Sequence, residues 1–167
     1  MQFTDEIKKE ILFYLAGDGP TPTGHACRFF AIGDIGVKVY DEECREKARG
    51  AYANQKRAHA LGLGPAVGDE WTLRIRAGSG STFYLYGYLT EVAQVYRDDG
   101  RETLSDVEFD TLTESLENAG FPTWDIYGRN VGRLKDGTPV CIDFDPVSMS
   151  ENKNEENQRE TLDAMTA

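Results

Sequence analysis

An Asp-Gly pair flanked by apolar segments is one of the strongest local hairpin signals, because both central positions of the favoured tight turn need positive φ. In this chain of 167 residues the pair falls at Asp136-Gly137. The return strand, Val140-Cys141-Ile142, runs straight into Asp143-Phe144-Asp145. On the incoming side stands Asp125, followed five places later by Asn130. A hairpin here brings Asn130 back beside Asp143. A carboxylate and an amide oxygen converging near a second carboxylate form an oxygen site that suits a hard cation such as Mg²⁺.

The rest of the chain reads as support for this stretch. Residues 3–16 begin as an amphipathic helix capped by Thr4, with Phe3, Ile7 and Ile11 on one face. The apolar run Ile11–Ala16 predicts that the helix passes into a first strand. Gly17–Gly24, GDGPTPTG, is a turn-rich loop in which Pro20 and Pro22 donate no N–H. Ala26–Ile32 and Ile35–Tyr40 form a hairpin turning at Gly33-Asp34. In its second strand Val37 and Val39 face away from Lys38.

Residues 42–61 are the clearest long helix, with Cys44, Ala48, Ala51, Tyr52, Gln55 and Ala58 in a stripe that ends at Gly62. Trp71–Arg76 alternates, with Trp71, Leu73 and Ile75 inward, and Phe83–Leu89 is its aromatic partner. After the charged linker Arg97–Glu102 comes a second helix. Ser105 and Glu108 make its capping box, Leu104 and Phe109 its staple, and Gly120 and Pro122 its stop.

Composition bounds the function classes. Hydrophobic residues at 40 % allow one domain, or two small lobes sharing a core. Lys and Arg number 18 against 29 Asp and Glu, a net charge of −11, which argues against nucleic acid and against an anionic membrane as partners. Cys27, Cys44 and Cys141 form no metal-binding or disulfide spacing and sit among apolar neighbours. Three free thiols, a charged N-terminus and no long apolar run predict a cytoplasmic protein without a membrane span.

The ordered set Asp125, Asn130, Asp-Gly hairpin and Asp143-Phe144 resembles the catalytic core of the protein-kinase and aminoglycoside-phosphotransferase superfamily. The resemblance spans roughly residues 17–145. It implies an α+β, kinase-like fold: an antiparallel five-stranded small lobe with one long helix, then a much reduced large lobe. It places the small lobe at 1–93, the reduced large lobe at 94–148 and a solvated polar tail at 149–167. It implies ATP and Mg²⁺ as cofactors, an unidentified substrate or protein partner, and reduced or unusual phosphotransfer.

By the same resemblance Asp125 meets the acceptor hydroxyl, and Asn130 and Asp143 hold the metal. Lys38 holds the nucleotide phosphates, Gly17 and Gly19 belong to the loop over them, and Glu91 and Ala93 belong to the hinge that takes the base. The chain departs from the pattern at Thr123-Trp124, at Asp145, and at Gln55, where a helix Glu would pair with the strand Lys. Few residues follow Asp143, so no peptide-substrate groove is encoded. An inactive interaction module, or an acidic inhibitor docking on a basic partner, is the alternative.

Overall fold

The computed structural model describes residues 1–16, 27–76, 80–97, 100–124 and 126–145. It is an α+β fold whose main antiparallel sheet has the order β1-β2-β4-β3, with β1 at Arg28–Ile32, β2 at Ile35–Asp41, β3 at Val67–Arg76 and β4 at Thr82–Glu91. The described residues supply four strands to this sheet, one fewer than expected. The difference lies at Ile11–Ala16, which is helix and not strand. α1 runs unbroken from Asp5 to Leu15, with the Thr4 hydroxyl accepting the Ile7 N–H at 3.3 Å. Helical spacing wins because Ile7 and Ile11 lie one turn apart on one face and both are buried against the sheet, where Tyr14 adds a ring stacked 4.1 Å from Phe30.

The sheet buries both of its faces. Phe30, Val37, Val39, Trp71, Leu73, Leu85 and Leu89 pack under α1. Tyr40 and Tyr88 face the other way and pack against Ala48 and Ala51 of α2, which spans Arg45–Ala60. A 3-10 turn at Glu42–Cys44 leads into α2, so the long helix starts three residues later than its stripe suggests. Gly62, at φ 74°, ends it as expected, since an L side chain pays to enter the left-handed region. Gly87 sits between Val39 and Trp71 in the sheet. A Cβ there would collide with the Lys38 carbonyl and the Trp71 ring, so the missing side chain is what lets the indole lie flat on the sheet.

A second apolar cluster is built from the chain after β4. α3, Asp106–Asn118, carries the capping box at Ser105 and Glu108 and buries Leu112 and Leu116. These meet Leu104, Phe121, Val131, Cys141 and Phe144, and Ala58 of α2 joins them. α2 therefore belongs to both cores. The Asp136-Gly137 hairpin forms as a two-stranded sheet, β5 Val131–Arg133 with β6 Pro139–Cys141, and Gly137 takes φ 93°. Among the described residues no helix is long and apolar enough to cross a membrane.

Candidate functional site

Lys38 sits mid-strand in β2, opposite Tyr88 of β4. It points to the α2 side of the sheet, away from Val37 and Val39, and only 8 % of it is exposed. Its Nζ donates to the Ile142 carbonyl at 2.8 Å and lies 5.5 Å from the centre of the Tyr88 ring. Burial alone would lower the lysine pKa, but Tyr88, Cys27 and Asp143 outweigh it and hold the ammonium above its ordinary range. Lys38 is thus a buried cation at any neutral pH.

The position facing this lysine from α2 is Gln55, which is fully buried. The Tyr88 hydroxyl donates to Gln55 Oε1 at 3.0 Å, and the Lys38 ammonium lies over the Tyr88 ring. Gln55 Nε2 donates to Thr90 Oγ1 at 2.5 Å and to the Pro65 carbonyl at 3.3 Å. An amide is required here, because a carboxylate has no hydrogen to give Pro65. Tyr88 therefore stands between Lys38 and Gln55 of α2.

The segment after β6 closes over Lys38. Cys141 N–H donates to the Leu63 carbonyl at 3.0 Å, and Ile142 N–H to the Asn130 carbonyl at 2.9 Å. Asn54 of α2 donates to the Phe144 carbonyl at 3.4 Å, and the Phe144 ring packs edge-on to Phe121 at 5.7 Å. The strand β2, the helix α2 and the 3-10 turn Gly128–Asn130 all hold residues 141–144. Asp143 is exposed, and its Oδ1 accepts the Asp145 N–H at 3.1 Å. The half-buried Asn130 meets this segment through its backbone carbonyl, which accepts the N–H of Ile142, the residue before Asp143.

Lys38 Nζ and the Asn130 carbonyl thus both bond the backbone of Ile142, the residue next to Asp143. Glu91 closes β4, three residues beyond Tyr88, or about 10 Å along the strand. Its N–H donates to the Ala66 carbonyl at 2.8 Å and its carboxylate accepts the Ala66 N–H at 3.4 Å. Ala93 is half-buried beside Gly132, and the next residue, Gln94, exchanges both backbone hydrogen bonds with Arg133 at 2.9 Å. Asp125, Gly17 and Gly19 lie outside the described residues.

Among the described residues no three His, Cys, Asp or Glu side chains cluster as a metal site. Mg²⁺ bound through one or two protein oxygens and nucleotide phosphates does not need such a cluster. Tyr88 and Asn54 were not read from the sequence as site residues. Their role depends on the β2–β4 pairing and on the return of the 142–144 segment, both nonlocal. The period-2 run Tyr84, Tyr86, Tyr88 was the available signal. All three cysteines are free thiols, and burial pushes Cys141 up to about 12 and Cys27 upward as well.

The chain matches none of the family models and none of the curated proteins with which it was compared.

Proposed function

We propose that the chain is a small kinase-like, ATP- and Mg²⁺-dependent phosphotransferase of reduced or unusual activity. The observation that carries this reading is the buried Lys38 ammonium, 2.8 Å from the carbonyl next to Asp143, with Asn130 bonded to the same residue. A fixed cation beside an exposed carboxylate, with Asn130 held one residue away through its backbone, suits phosphoryl transfer, since the reaction is driven by positioning and charge stabilisation. In this reading residues 1–93 serve as the small lobe and 94–148 as a reduced large lobe. Lys38 holds the α and β phosphates, and Asn130 and Asp143 hold the metal. Gly17 and Gly19 belong to the loop over the phosphates, and Glu91 and Ala93 flank the base. When bound, Mg²⁺ neutralises charge on the phosphates. Asp125 orients and deprotonates the acceptor hydroxyl.

One observation favours a second reading, a catalytically inactive interaction module. Gln55 stands where a carboxylate would hold the lysine, and Lys38 is instead spent on Ile142 and Tyr88. The two readings separate on one experiment. Under the enzyme reading, Asp125→Ala eliminates ATP hydrolysis or transfer in a γ-phosphate release assay while leaving ATP binding within about threefold, because Asp125 meets the acceptor and not the phosphates. A wild-type protein that binds ATP without any turnover, or an Asp125→Ala variant with undiminished turnover, overturns the enzyme reading.

A further inference from the structure

At the N-terminal end of α2, beside the Lys38 cluster, a groove of about 270 Å³ opens to solvent. Arg45 and Arg49 of α2 form one wall, and Glu70, Thr72 and Tyr86 line the sheet side. Tyr86 lies two residues along β4 from Tyr88, so this groove is separate from the contacts of Lys38. Arg45 is laid over the Tyr86 ring, its guanidinium 5.2 Å from the ring centre. Arg49 pairs with Glu46 at 3.4 Å, with both side chains exposed, and such a pair is easily exchanged for a better one. α2 carries Arg45, Lys47, Arg49, Lys56 and Arg57 against the single Glu46, within a chain of net charge −11. The helix is net positive on a negative protein, Arg45, Arg49 and Lys56 share one of its faces, and Glu70 is the one carboxylate lining the groove among the described residues.

The groove borders a sheet edge. The order β1-β2-β4-β3 leaves the outer side of β3 without a strand partner among the described residues. The start of that edge already takes a backbone segment of this chain. The Asp69 N–H donates to the Met1 carbonyl at 3.0 Å, and the Asp69 carboxylate accepts the Phe3 N–H at 2.9 Å. Beyond it, alternate residues from Glu70 to Arg76 present N–H and C=O groups outward, a template for another strand. The spacing of the cations suits one. Arg45 and Arg49 stand one turn apart, about 6 Å along the helix, and alternate side chains of an extended segment repeat at about 6.5–7 Å.

We propose that this groove docks an extended acidic segment of a partner protein. The segment adds to the outer edge of β3 and sets carboxylates at alternate positions against Arg45 and Arg49. Strand addition supplies the backbone hydrogen bonds, and the two arginines select the acidic side chains.

The probe is an acetylated eight-residue Glu-Val repeat, titrated into the isotope-labelled full chain and followed by amide chemical shifts. Saturable shifts at residues 45–49 and 70–76 are expected, weakening as salt rises. A Lys-Val repeat of the same length gives none. The Arg45→Gln/Arg49→Gln double variant, changed only at exposed side chains, loses about tenfold in affinity, the sum of two modest ion pairs. Its Mg²⁺-dependent response to ATP stays as in the wild type, so this docking and the nucleotide reading fail separately. No saturable shift at millimolar Glu-Val peptide, equal binding of the Lys-Val peptide, or undiminished affinity in the double variant overturns the proposal.

Discussion

Replacing Gln55 by Glu probes why α2 presents an amide to the lysine strand. Gln55 has no exposed surface, and its two amide hydrogens serve Thr90 Oγ1 and the Pro65 carbonyl. A carboxylate there faces the Pro65 oxygen with nothing to donate, in a site closed to water. Burial raises a carboxyl pKa by up to 3–5 units, and each unit corresponds to about 1.4 kcal/mol. The nearby Lys38 charge offsets part of this, leaving a cost of roughly 3 kcal/mol at pH 7.5.

The sign follows from linkage. A carboxyl whose folded pKa is raised carries no ionisation penalty below its unfolded value near 4.3, and the penalty grows as pH climbs above that value. Urea unfolding of both proteins at pH 4.5 and pH 7.5 measures the difference. The Gln55→Glu variant should lie within about 1 kcal/mol of wild type at pH 4.5, where a protonated Glu still donates once, and well below it at pH 7.5. A variant equal to or more stable than wild type at pH 7.5 would mean that Lys38 swings to the new carboxylate, and the burial penalty argued for position 55 would be refuted.

Three further outcomes follow from the same packing. Glu108 is drawn down to about 2 by the Ser105 N–H, the Arg133 guanidinium and the Ser105 hydroxyl. Its contribution to stability is present above about pH 4.5 and lost as pH falls toward 2, so Glu108→Gln should flatten the fall in urea midpoint between pH 6 and pH 3. Gly87→Ala forces a methyl group onto the Lys38 carbonyl and the Trp71 ring and should cost about 2–3 kcal/mol, read as a fall of several degrees in the melting temperature. The Cys141 thiol, pushed up to about 12 by burial, should resist a thiol reagent at pH 8 in the folded chain and react on unfolding; labelling of Cys141 at the rate of a free thiol would contradict its enclosure.

What the sequence made legible was local. The Asp136-Gly137 turn implied that Asn130 would come back beside Asp143, and the Asn130 carbonyl accepts the N–H of Ile142, one residue before Asp143. Ser105 and Glu108 named the start of α3, and Gly62 the end of α2. Alternation placed Lys38 opposite Val37 and Val39, but it could not say that Lys38 is buried. That burial comes from α2 and residues 142–144 covering the same face from far along the chain. Gln55 was visible as the polar residue of an apolar stripe, while its partners Pro65, Tyr88 and Thr90 depended on sheet pairing. Ile11–Ala16 misled because a short apolar run fits strand and helix alike, and burial of the Ile7 and Ile11 face decided for helix.

The central claim is that Lys38, Asn130 and Asp143 form a nucleotide and metal site, and its most direct test is calorimetric titration of ATP with and without Mg²⁺. Wild-type protein should bind ATP in the presence of Mg²⁺ and lose at least tenfold in affinity without it. Asp143→Ala should remove that difference, because the carboxylate acts on the nucleotide through the metal. Lys38→Met should weaken binding in both conditions, since it removes the charge on the phosphates. ATP binding of equal strength with and without Mg²⁺, or Mg²⁺-dependent binding that survives Asp143→Ala unchanged, would contradict the account.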